Sequence, residues 1–445
     1  MSSVLRRTAA LAVLVALLPA ALSGCTADKQ PRPPAGAGEG KPAAGQPKGL
    51  GDIIVAGRAV TGAKPTGLEK APYQRTYTDG ELYAAVTGYR STTYAQNGLE
   101  AVYEDVLGPA ARHGGRAPGD VVTTIDPALQ KAAADGLGGR KGAAVALDVK
   151  SGRIEALVSA PSFDPATFSG NMPEDAEAWE ELESDEDDPK LNRALRQAVA
   201  PGDTFHLVVA AAAVEQDLYS SVDAPTRSPL TPGVPARCES ASLRTALRFS
   251  CDNVFARIAT DLGEGTLAQA AEAFGFNDDR LDVPVRAVTS TYPRGADGEA
   301  DLAATGNGLG GVTATPVQMA TVMAVLAGGG GQVRPTMVDH VVRADGSIQR
   351  PAAEGAPGRV VAQATADQLR SALGPSASRT AWVAAAADDG DGDGAGAAAW
   401  SVSYARTGEG GLLAIAVCVE GSDGAAPAVR VAERLSRAAA ARTGS

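Results

Sequence analysis

Three short stretches of the 445-residue chain carry the residue types that chemistry needs. In Pro201-Gly202-Asp203-Thr204-Phe205-His206 a carboxylate and an imidazole stand three residues apart, just before the apolar run LVVAAAAVE. At i and i+3 of a helix they share a face, where Asp can serve as nucleophile and His as base. The competing role is structural. An Asp at a helix start caps backbone N–H groups and is favoured by the helix dipole, and His206 can pair with it one turn on. A carboxylate stabilised in this way is a poor nucleophile, so the cap is the expected role. The second stretch, Ser250-Cys251-Asp252, sets a hydroxyl beside a carboxylate, with Asn253 following. The third, Arg379-Thr380-Ala381, offers a guanidinium and a hydroxyl.

The elements that must hold these residues read as a mixture of strands and helices. GDIIVAGRAV is a short strand and turn, and VVTTIDPALQKAAADGL is a strand followed by a helix opening at Pro127. GAAVALDV and RIEALVSA, on either side of Lys-Ser-Gly, alternate as a hairpin does. Near the end, GLLAIAVCVE reads as a buried strand and AVRVAERLSRAAAAR as a helix. Strands at both ends with helices between them call for a sheet assembled from distant segments.

Cys238 and Cys251 bracket one short helical stretch and are a candidate disulfide. Cys418, inside an apolar run, is a buried small hydrophobe. No Cys/His spacing resembles a zinc site, and neither a metal nor a cofactor is expected. Residues 174–188 hold ten acidic residues in fifteen and read as a solvated helix or loop. DDGDGDGAG at 388–396 lacks the closing Glu of a calcium loop and reads as a hairpin tip. The net charge of −12 argues against a nucleic-acid partner, because phosphate binding needs concentrated Lys and Arg.

The first 24 residues have the build of a secretory signal: Arg6 and Arg7, an apolar run, then small residues. The ending Leu22-Ser23-Gly24-Cys25 resembles a bacterial lipobox, which makes Cys25 the lipidation site; an ordinary cleaved signal is the alternative. Residues 25–48, rich in Pro, Gly, Ala and Lys, read as a disordered tether. No other segment reaches 18 uninterrupted apolar residues, so the expected anchor is the lipid, holding the protein at the outer face of the cell membrane.

From DVVTTIDPALQKAA through GAAVALDVKSGRIEALVSAPSFDP and LNRALRQAVAPGDTFHLVVAAAAVE, the chain resembles the class B penicillin-binding proteins of actinobacterial type. Phe274-Gly275-Phe276, GNGLGGVTATPVQMATVMAVLAGGG and AWSVSYA extend the likeness in family order. The resemblance implies an α+β fold of the penicillin-binding-protein and serine β-lactamase type. It has an antiparallel five-stranded sheet flanked by helices, with an all-helical region beside it. It also implies a division at 49–118, a shortened N-terminal pedestal, and 119–445, the transpeptidase-like domain.

The family's peptidoglycan D,D-transpeptidases use Ser-x-x-Lys, Ser-x-Asn and Lys-Thr-Gly. Here Asp203 and His206 stand for the nucleophilic Ser and the Lys base. Ser250-Cys251-Asp252 stands for Ser-x-Asn, with a carboxylate in place of the amide, and Arg379-Thr380-Ala381 for Lys-Thr-Gly. The expectation is a catalytically silent lipoprotein that keeps the fold as a binding or scaffolding module, with no confident catalytic residue. Its partner would be a peptidoglycan stem peptide or a protein of cell-wall synthesis or division. The alternatives are a divergent transpeptidase or hydrolase using Asp203 and His206, or Ser250, and a purely structural envelope lipoprotein.

Overall fold

Gly142–Asp148 and Ile154–Ala160 form the expected hairpin, its turn closed by the Ser151 N–H donating to Asp148 Oδ1 at 2.7 Å. The hairpin seeds the central sheet. In this computed structural model, residues 49–442 are described apart from 231–232, 282, 352–357, 375–377 and 384–397. The leader, the tether with Cys25 and the segment 388–396 therefore lie outside the described residues. The C-terminal strand Leu412–Glu420 pairs with Gly142–Asp148. Ala398–Arg406 and then Ser378–Val383 complete five strands, every neighbouring pair antiparallel. The sheet does draw on both ends of the chain.

Both faces of this sheet are covered, and alternation sorts most of its side chains. Val145, Leu147, Trp400, Val402 and Ala416 join one apolar core; Ala144, Ala146, Ile415, Val417 and Val419 join another. The helix Pro316–Ala327, buried along its whole length, packs on the first side. Pro127–Leu137 and Ala426–Ala440 pack on the second. In Ala426–Ala440 the buried residues are Ala428, Val431, Ala432, Leu435 and Ala439, the three-and-four spacing of a helix with one apolar stripe. Pro127–Leu137 starts where its sequence says it should: Asp126 Oδ1 accepts the N–H groups of Ala128 and Leu129.

A second five-stranded sheet was not anticipated. Its order is Arg58–Ala59, Ile53–Val55, Asp120–Thr123, Val338–Val342, Ile348–Gln349, parallel only between Ile53–Val55 and Asp120–Thr123. Strands near residues 50, 120 and 340 thus share one sheet, and the described residues group as one compact unit. Near this sheet the ion pair between Arg75 and Glu100 is fully buried, with Nε to Oε1 at 2.7 Å, while Arg75 Nη1 donates to the Gly51 carbonyl at 2.7 Å.

The helical region contains His206–Glu215, Leu243–Phe249, Asp252–Leu262, Glu264–Ala273 and Glu299–Gly306. Cys238 and Cys251 are bridged, their Cα atoms 5.6 Å apart. Cys418 is buried and free, opposite Trp400 in the sheet. The acidic segment forms the largely exposed helix Pro173–Ser184. It is held by Trp179, which stacks on Tyr94 with ring centroids 4.5 Å apart. Among the described residues no helix is long and apolar enough to cross a membrane.

Candidate functional site

The site begins at a tight turn. Gly202–Phe205 is a single 3-10 turn, followed directly by the α-helix His206–Glu215. Two contacts from distant segments fix it. Trp400 Nε1, in the central sheet, donates to the Ala200 carbonyl at 2.9 Å. The Gly202 N–H donates to the Gly308 carbonyl at 3.2 Å. At Gly308 the backbone has φ of +64°, and a Cβ there would meet the Gly202 carbonyl oxygen at 2.4 Å. Only glycine permits that approach.

The approach carries Asn307 to the imidazole. His206 Nε2 donates to Asn307 Oδ1 at 3.1 Å. The ring, completely buried, stacks on Phe255 with centroids 3.7 Å apart and planes within 10°. A neutral ring with its proton on Nε2 would carry its lone pair on Nδ1.

Asp203 is half-buried within the 3-10 turn. The expectation that it caps a helix is corrected: Pro201 is the N-cap of the turn and Phe205 that of the α-helix. The turn tightens the backbone ahead of the helix, so Asp203 stands inside a turn and not at its opening.

Ser250 ends the helix Leu243–Phe249 at φ +46°, a left-handed conformation costing a non-glycine residue roughly 1 kcal/mol or more. Cys251, the middle residue of its motif, is both the N-cap of the next helix and one end of the disulfide. Asp252, exposed, is the first residue of Asp252–Leu262, a position its charge favours.

The fold brings Asp203, His206 and Asp252 together: one donor atom from each lies within 4.8 Å of the others. The family resemblance implied that Asp203, His206 and Asp252 border one cleft, but local spacing showed no metal-ligand pattern, because the three residues reach the spot from two separate helix starts. Asn307 and Phe255 were also missed as site residues. Asn307 sits in a Gly-Asn-Gly turn, and that pattern was its one local signal.

Arg379, Thr380 and Ala381 lie on the sheet-edge strand Ser378–Val383, in register with Val402, Ser401 and Trp400. The backbone of this strand runs beside the turn Gly202–Phe205. The three motif segments therefore border one place. Chemically that place offers two carboxylates and an imidazole.

Comparison with known proteins bears on the same segments. Residues 142–439 match the model of the penicillin-binding protein transpeptidase domain. Residues 50–123 match that of the penicillin-binding protein A dimerisation domain. The chain is 31% identical over 339 residues to the peptidoglycan D,D-transpeptidase PbpA of Mycolicibacterium smegmatis, covering 69% of this chain and 66% of the relative. Against PbpA of Mycobacterium tuberculosis it is 34% identical over 298 residues, 60% of each. The matched part is thus about three fifths to two thirds of these relatives. The crystal structure of the M. tuberculosis protein superposes with a TM-score of 0.76 at 29% identity, covering 88% of this chain and 99% of the other. Its penicillin G acyl-enzyme complex gives 0.76 at 28% identity, covering 88% and 99%.

Proposed function

The chain belongs to the penicillin-binding protein transpeptidase family, and from that premise we propose that it serves peptidoglycan synthesis as a pseudoenzyme. In this reading it is exported, anchored through a lipid on Cys25, and keeps the transpeptidase fold as a binding or scaffolding module outside the membrane. What supports the proposal is the motif resemblance, which sets Asp203 and His206 where the family has Ser and Lys, together with the observation that His206 is held by Phe255 and Asn307.

Each replacement removes a step of acyl transfer. A carboxylate attacking an acyl donor forms a mixed anhydride in place of an ester, and water cleaves it readily. A buried imidazole held face to face on an aromatic ring lacks the reach of a lysine amine. Asp252, where an amide would donate to the substrate, can only accept when ionised. Together with Asp203 it repels the terminal carboxylate of a D-Ala-D-Ala peptide. The ligand of the module would then be a peptidoglycan stem peptide held away from this corner, or another protein of the cell-wall machinery.

Fluorescent penicillin tests the proposal on the full chain and on the Asp203→Ser/His206→Lys double variant. The expected result is no covalent label on the unmodified protein. Label on the double variant alone would mean a preserved pocket lacking its nucleophile; label on neither would leave a scaffold. Covalent label on the unmodified chain would overturn the proposal, and mapping it to Ser250 or Asp203 would name the acting nucleophile.

A further inference from the structure

The geometry points to a function gained at the site where the serine was lost: we propose that Asp203, His206 and Asp252 bind a divalent transition-metal cation. The donor set is two carboxylates and one imidazole, each able to place an atom within 4.8 Å of the other two. Ligands about 2.1 Å from a tetrahedral cation lie roughly 3.4 Å from one another. The carboxylates of half-buried Asp203 and exposed Asp252 can rotate to close that gap, while the buried imidazole stays fixed.

The surroundings of His206 are those a metal-binding imidazole needs. Metal-ligating histidines almost always donate their second ring N–H to a carboxylate or a carbonyl oxygen, which sets the tautomer and the ring plane. Asn307 Oδ1 accepts that proton at 3.1 Å, and Phe255 holds the plane from one side. Asp252 is held from its own side, since its neighbour Cys251 is tied to Cys238. The ligand framework therefore exists before any cation arrives.

Charge supplies the driving force. Two carboxylates converge beside the imidazole, and a divalent cation offsets their charge. Imidazole suits Zn, Cu, Fe and Ni, carboxylate suits Mn, and Zn²⁺ accepts both donor types. Three protein ligands leave at least one coordination position for water or for the carboxylate of a peptide. A loaded cation thus removes the repulsion that the two aspartates impose on an anionic ligand. The competing account is a protonated His206 held as an ion pair between the two carboxylates.

Zn²⁺ titration of the chelator-stripped full chain, followed by calorimetry, separates the two. One equivalent bound at micromolar Zn²⁺ or below is expected, weakened at least about tenfold by Asp252→Asn and by Asp203→Asn. Asp252 is exposed, so its replacement should leave the fold intact. The Co²⁺-substituted protein should show ligand-field absorption in the visible, lost in His206→Gln, and X-ray absorption of the Zn²⁺ form should show one imidazole. Binding unchanged by both aspartate variants, a zinc shell without nitrogen, or no binding at all would overturn the proposal. A chain that binds no zinc still answers the penicillin experiment, so the two proposals fail separately.

Discussion

The imidazole of His206 lies flat against the ring of Phe255, with centroids 3.7 Å apart and planes 10° from parallel. One residue comes from the first turn of His206–Glu215 and the other from the first turn of Asp252–Leu262. The contact therefore sets how two helix starts meet, and with them the positions of Asp203 and Asp252. A lysine at 206 would have no flat face to give Phe255. The site is packed around an imidazole.

Phe255 should consequently be costly to truncate. Phe255→Ala leaves a cavity against a buried ring and should lower stability by about 3–5 kcal/mol. Phe255→Leu, which keeps apolar volume, should cost less. Urea denaturation of the two variants measures this, and equal losses would contradict a packing role for the aromatic face.

The disulfide closes a short loop, its cysteines 13 residues apart. Loop-closure entropy assigns it about 3 kcal/mol. Replacing both cysteines by serine should shift the denaturation midpoint accordingly. Because Cys251 adjoins Asp252, the same variant should also weaken any Zn²⁺ binding, which titration of the folded variant would detect.

Arg75 and Glu100 are fully buried together. Removing one partner strands the other charge, so Glu100→Ala should cost about 3–5 kcal/mol. An Arg75→Met/Glu100→Leu double variant, with neither charge, should recover much of that loss. Thermal denaturation of both distinguishes a stranded charge from lost packing.

Burial pushes the Cys418 thiol well above its ordinary range, with the nearby Glu420 adding to the effect. At mildly alkaline pH the native protein should therefore leave Cys418 unalkylated by iodoacetamide, and unfolding should expose it. The sign for stability follows. The folded thiol stays protonated while the unfolded one ionises near 8.5, so this group's contribution falls as pH rises above that value. Rapid alkylation in the native state would contradict the burial.

Much of the fold was legible along the chain, because the signals are local. Pro127 behind the Asp126 cap, the alternation through 142–160 and the apolar stripe of Ala426–Ala440 each depend on neighbours within a turn or a strand pair. The cysteine pair around one helix was legible for the same reason. The strands Arg58–Ala59 and Ile348–Gln349 span two residues each, too short to carry a pattern. The second sheet forms through partners far away in the chain.

The candidate site divides in the same way. Sequence alone determined that Asp203 and His206 stand three residues apart, and the family resemblance implied that they stand for a Ser and a Lys and that Asp252 stands for an amide. It also suggested a cap for Asp203, which the 3-10 turn does not provide. Only the tertiary structure decided that ligand atoms of the two aspartates and the imidazole lie within 4.8 Å of one another, that Phe255 stacks on the ring, and that Asn307, 101 residues from His206, accepts a hydrogen bond from it. The physical reason is that local propensity fixes an element but not its neighbours. Those meetings follow from glycine-permitted backbone approach and from the packing of separate helices, which no short stretch of sequence encodes.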